Sequence, residues 1–166
     1  MYKVNFTNSL DHCIESDHKL NILIVDDDEN SRESLRYILN SYGHNITTLD
    51  EGMKCVNRCA HIKFDLIFMD YHINDLDGDI KGSDVTQMVK ECFDTTVPIY
   101  AYTGDNSTDA INDMKKNDMK GVFIKPVDHN LIYNFLQINN KYKNNNLYLP
   151  RLARKNKNFM YFGNTD

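Results

Sequence analysis

Asn21-Ile22-Leu23-Ile24-Val25-Asp26-Asp27-Asp28 is a run of aliphatic, largely β-branched residues that stops abruptly at three aspartates. An apolar stretch this short, with no polar alternation, predicts a strand buried on both faces of a parallel sheet. Working outward, the same pattern repeats. Leu35, Ile38, Leu39 and Tyr42 share one helical face, and Gly43 stands where a helix end takes a left-handed residue. Ile46–Leu49 predicts a second strand, residues 51–61 a short helix, and Asp65–Met69 a third strand that ends in Asp70. An Asp- and Gly-rich loop follows. Ser83 then caps a helix through Val85, Met88, Val89 and Cys92. Val97–Tyr102 predicts a fourth strand, and Ser107 caps a helix bearing Ala110, Ile111 and Met114. Val122–Ile124 is a fifth strand, after which Asp128 caps a helix with Leu131, Ile132, Phe135 and Leu136 on its face.

Alternating strands and helices of this kind predict a doubly wound α/β domain, a five-stranded parallel sheet with helices on both faces, over residues 20–139. Residues 1–19 form an N-terminal extension and 140–166 a basic C-terminal one. Ligands of such folds gather at the carboxyl ends of the strands, near the switch in strand order. Asp26 and Asp27, Asp70, Thr103 and Lys125 end the first, third, fourth and fifth predicted strands. Crowded carboxylates repel, and a hard divalent cation relieves the conflict. Magnesium suits a small, open acidic pocket because it takes carboxylate and carbonyl oxygens and keeps several waters. Lysine adds a compact positive charge on a flexible stem, and threonine a hydroxyl donor. Phosphoryl transfer needs this set: an oxygen nucleophile, a metal, and cations for the transferring group. Asp70 is the expected nucleophile, forming an acyl phosphate, while Asp26 and Asp27 organise the metal.

Composition narrows the class. A chain of 166 residues favours one domain with short extensions. No segment approaches the ~20 apolar residues that cross a bilayer, and the N-terminus lacks a secretory core, so a soluble, cytoplasmic protein without membrane insertion is expected. Cys13, Cys55, Cys59 and Cys92 form no CxxC pair and read as reduced, mostly buried thiols. Cys55, Cys59 and His61 make an incomplete metal set. Net charge is −5, yet the part from His129 onward carries +5 and the rest −10. The acidic part argues against nucleic-acid binding there. The tail interleaves basic residues with Tyr148, Phe159, Tyr161 and Phe162, a pattern that suits nucleic acid or acidic lipid but reads first as a flexible or loosely docked extension.

Over about residues 20–139 the chain resembles the receiver domain of response regulators and hybrid histidine kinases, which has a flavodoxin-like fold. The matching residues are Ile22-Leu-Ile-Val-Asp26-Asp27-Asp28, Asp65-Leu-Ile-Phe-Met-Asp70, Pro98-Ile-Tyr-Ala-Tyr-Thr103-Gly104 and Val122-Phe-Ile-Lys125-Pro126. The resemblance implies that Asp70 accepts phosphate from a histidine of a histidine kinase or histidine phosphotransfer protein. It implies that Asp27, Asp70 and the backbone carbonyl of His72 ligate Mg2+, with Asp26 acting mainly through water. Thr103 and Lys125 would contact the phosphoryl oxygens, and Asp28 would cap a helix. His72 and Asp105 match positions that tune hydrolysis of the acyl phosphate, although His72 reads first as an exposed loop residue lending only its carbonyl.

The chain departs from the family in three places. Ile73-Asn74 replaces the usual Met-Pro. Gly78 and Gly82 compete for one glycine position, and alignment of Gly82 leaves four extra residues beside the pocket. Val122 stands where the family often has an aromatic that swings inward on activation, and valine does not report that movement in the same way. Two other classes compete with the phosphorelay reading. A degenerate receiver-like module would dock partners without phosphate. A hydrolase on a similar sheet ranks low, because no Walker loop or Asp-x-Asp-x-Thr motif is present.

Overall fold

The computed structural model describes residues 19–75, 78–93, 96–141 and 148–163. The first strand, β1 (Asn21–Val25), leads into α1 (Glu29–Ser41), β2 (Asn45–Leu49), α2 (Gly52–Cys59) and β3 (Leu66–Met69). A hairpin, β4 (His72–Asp75) and β5 (Gly78–Lys81), precedes α3 (Gly82–Phe93), β6 (Ile99–Thr103), α4 (Thr108–Lys116), β7 (Gly121–Ile124) and α5 (His129–Lys141). Beyond α5 lie α6 (Leu149–Lys155) and β8 (Phe159–Tyr161).

Five parallel strands form the expected doubly wound sheet, with spatial order β2-β1-β3-β6-β7, and β8 adds an antiparallel sixth strand at the β7 edge. Alternating side chains divide the core into two layers. Leu23, Val25, Ile67, Met69, Ile99, Ala101 and Val122 face α2, α3 and α4. Ile22, Ile24, Leu66, Phe68, Tyr100, Tyr102 and Phe123 face α1, α5 and α6. This explains why β1, β3, β6 and β7 are apolar at every position of the two-faced interior.

The caps place the strand-end loops. Asp28 accepts from the Ser31 N–H at 2.7 Å, as expected of a helix cap. Ser107 caps α4 and Asp128 accepts from the backbone of Asn130 and Leu131. Ser83 is not a cap: α3 begins at Gly82, and the Ser83 side chain is buried and donates to Asp113 of α4. Of the cysteines, Cys55 is buried, Cys59 half-buried and Cys92 exposed, so the expectation of mostly buried thiols fails at Cys92; Cys13 lies outside the described residues.

The expectation of a loosely docked C-terminal extension is corrected for residues 149–161. Leu149, Leu152 and Phe159 are buried, and the Phe159 ring stacks on Phe123 with centroids 4.6 Å apart. Burial of these apolar groups outweighs the charge of the neighbouring residues, which stays on the exposed side at Arg151, Arg154 and Lys157. Gly121 permits the approach, since a side chain there would collide with the Met160 carbonyl and the Tyr100 ring.

Candidate functional site

Asp26, Asp27, Asp70, Thr103 and Lys125 each follow or end a parallel strand, and β1, β3, β6 and β7 bring them to one edge of the sheet. The carboxylates of Asp26, Asp27 and Asp70 each offer an oxygen within 4.8 Å of the others. Among the described residues this is the one cluster of at least three His, Cys, Asp or Glu side chains placed to hold a metal ion. Lys125 reaches across the pocket, its Nζ 2.7 Å from Asp26 Oδ2 and 3.2 Å from Asp70 Oδ2. It also lies 5.0 Å from the centre of the Tyr102 ring.

The carboxylates do different work. Asp26 is fully buried and both its oxygens are engaged: Oδ1 accepts from the Asp28 N–H, and Oδ2 from Ser31 Oγ and Lys125 Nζ. Asp70 is 8% exposed, and its Oδ1 accepts from the Tyr71 N–H at 2.7 Å. Burial pushes the Asp70 carboxyl above the usual carboxylate range, and the nearby Asp26 charge adds to this; Lys125 and the Thr103 hydroxyl pull the other way. Asp27 is half-buried, and its Oδ2 accepts from the backbone N–H and side-chain amide of Asn74. Tyr102 is pushed up to about 12 by burial first, then by the charges of Asp26 and Asp70.

The His72 side chain has a partner of its own. Its Nε2 lies 2.7 Å from Asp105 Oδ2, and the hydrogen bond from His72 is the first cause holding Asp105 down to about 2. The imidazole is 66% exposed.

The glycine ambiguity resolves geometrically. A side chain at Gly82 would run into the Asp70 carbonyl and the Met69 side chain, and the Gly82 N–H donates to the Tyr71 carbonyl at 2.7 Å. Gly82 therefore closes the chain onto the Asp70 backbone, with the β4–β5 hairpin lying between the two. The sequence predicts a loop here, and its reading missed Asn74 as a partner of Asp27. It also missed Ser31 on Asp26 and the node in which Tyr71 and Ser83 both donate to Asp113. Cys55, Cys59 and His61 lie on and after α2 and do not join the acidic cluster.

The response regulator receiver domain model matches residues 22–137. The chain belongs to the response regulator receiver family. Among relatives of this receiver domain is Transcription factor SKN7 of Candida albicans, 30% identical over 118 residues, which are 71% of this chain and 20% of that protein. The CAI-1 autoinducer sensor kinase/phosphatase CqsS of Vibrio cholerae is 25% identical over 72% of this chain and 17% of its own. The receiver thus spans about a fifth of the length of these relatives. A two-component response regulator from Clostridium difficile shares the fold with a TM-score of 0.68, at 23% identity over 76% of this chain and 99% of that one. So does the receiver domain of a sensor histidine kinase from Pseudomonas aeruginosa, described with a magnesium ion in its active-site cleft (TM-score 0.65, 20% identity, 75% and 100% coverage). Among the described residues no helix is long and apolar enough to cross a membrane.

Proposed function

We propose that this receiver domain accepts a phosphoryl group on Asp70 from a phosphohistidine of a histidine kinase or histidine phosphotransfer protein, with Mg2+ as cofactor. The observation that carries the proposal is the position of Lys125 Nζ, within hydrogen-bond reach of Asp26 and Asp70 from a strand on the far side of the pocket.

The donor set fits magnesium: three carboxylate oxygens within 4.8 Å of one another are hard ligands of the kind that ion prefers. Asp70 and Asp27, with the carbonyl of His72, would hold it directly. Asp26, its oxygens engaged by Asp28, Ser31 and Lys125, suits a role through water. When bound, the ion supplies charge neutralisation for the carboxylates and the transferring group.

This chain's residues account for the rest. An Asp70 carboxylate oxygen attacks the phosphorus, the P–N bond to the donor histidine breaks, and its electron pair returns to the imidazole. Asp70 becomes an acyl phosphate. Lys125, drawn from its carboxylate partners, and the Thr103 hydroxyl are placed to hold phosphoryl oxygens. The His72–Asp105 pair, each member two residues beyond Asp70 or Thr103 and with its imidazole exposed, suits the expected part in setting the lifetime of the phosphate.

Intact-mass analysis after incubation with phosphoramidate and Mg2+ tests the proposal. One phosphoryl adduct is expected in the wild type and none in Asp70→Asn. Undiminished labelling of Asp70→Asn removes the assignment. A protein that neither labels nor binds Mg2+ is instead a docking module.

A further inference from the structure

We infer that Asn158, in the C-terminal segment outside the matched receiver region, is a positioning residue for Lys125, so that this segment forms part of the phosphoacceptor site. The inference rests on the reading that Lys125 holds a phosphoryl group. Lys125 acts at the end of a flexible four-carbon stem, so its reach depends on where its backbone is fixed. That backbone is held on both flanks by one residue. The Ile124 N–H donates to the Asn158 carbonyl at 2.8 Å, and Asn158 Nδ2 donates to the Pro126 carbonyl at 2.7 Å. The Lys125 N–H donates to the Thr103 carbonyl, also at 2.8 Å, which ties the same loop to the other phosphoryl-contacting residue.

The clamp is built rather than incidental. Asn158 stands just beyond the paired stretch in which β7 and β8 run antiparallel from Gly121↔Tyr161 to Phe123↔Phe159. The stacked Phe159 ring anchors β8 at that end, and the Phe162 N–H donates to the Lys120 carbonyl at the other. Without β8, β7 is an edge strand whose outward donors and acceptors meet water. The loop carrying Lys125 would then be secured from the β6 side alone.

A double-mutant cycle on the full chain tests this, with beryllium fluoride as the phosphoryl analogue in saturating Mg2+ and affinity read by fluorine NMR. Loss of one well-formed hydrogen bond corresponds to roughly a fivefold change. Asn158→Ala is expected to weaken binding about fivefold in the wild-type background and by less than about twofold in a Lys125→Ala background, because the effect runs through the lysine. Asn158→Leu, of similar size and uncharged but without the donor, is expected to match Asn158→Ala, and it carries the test if the alanine variant fails to fold. Unchanged affinity in the folded single variant overturns the inference. So does an equal loss with and without Lys125, since a merely structural residue gives that result. A wild type that binds no beryllium fluoride overturns the phosphoacceptor reading itself.

Discussion

Lys125→Ala removes the ammonium lying between two buried carboxylates, and its consequence for stability follows from the geometry. Nζ is 2.7 Å from Asp26 and 3.2 Å from Asp70, whose side chains are 1% and 11% exposed. Removing one partner of a buried ion pair costs about 3–5 kcal/mol, chiefly because the remaining charge is left uncompensated. The lysine is itself 21% exposed, and water entering its place offsets part of the loss, so we expect about 2–4 kcal/mol. At roughly 2–4 °C per kcal/mol for a domain of this size, the unfolding midpoint falls by about 4–16 °C in chelator. Magnesium should then act more strongly on the variant than on the wild type, because the competing ammonium has gone. A ligand at about a hundred times its Kd stabilises by roughly 2.7 kcal/mol, enough to recover much of the deficit. Urea unfolding of both proteins, in chelator and in saturating Mg2+, reads the two gaps. The reasoning fails if the proteins agree within about 0.5 kcal/mol in chelator, a difference typical of neutral surface changes. It also fails if magnesium stabilises the wild type but leaves the gap unchanged.

Two further outcomes follow. Phe159→Ala should destabilise by about 3–5 kcal/mol in urea unfolding, the cost of truncating a buried aromatic, whereas a loosely docked tail would give almost nothing. His44 is buried and burial holds its imidazole below the ordinary 6.5, with Nδ1 accepting from the Leu20 N–H. The unfolded chain therefore binds the proton more readily. Stability from this group is complete above about pH 6.5 and declines as pH falls toward the lower folded value. Unfolding free energies measured across that range should show a positive slope that flattens in His44→Gln; an unaltered slope assigns it elsewhere.

The central sheet was legible in the sequence because its cause is local. β1, β3, β6 and β7 are buried on both faces, so each reads as an unbroken apolar run. The polar residue at the end of each run is where the strand stops, although Asp26, Asp70 and Thr103 themselves stay buried. Asp26, Asp27, Asp70, Thr103 and Lys125 could therefore be gathered before any coordinates, since parallel strands bring their carboxyl ends to one edge. What escaped depends on contacts that no periodicity encodes. Gly82 matters because the hairpin returns the chain onto the Asp70 carbonyl, a fact about approach rather than about the loop's own residues. Ser83 has the chemistry of a cap, but its hydroxyl is spent on Asp113 instead.

The C-terminal segment shows a different limit. Its summed charge described a solvated tail, yet charge and burial here belong to different side chains of one short stretch. Arg151, Arg154 and Lys157 face water while Leu149, Leu152 and Phe159 enter the core. A strand of three residues is too short to reveal a period of two, and its pairing partner lies far back in the chain. The receiver family's own pattern ends before it, so resemblance gave no warning either. Net charge constrains what a segment's exposed surface attracts; it says nothing about whether the remaining residues complete a neighbouring sheet. Where such a segment also makes hydrogen bonds on both flanks of Lys125, boundaries drawn by family likeness are narrower than the unit that packs together.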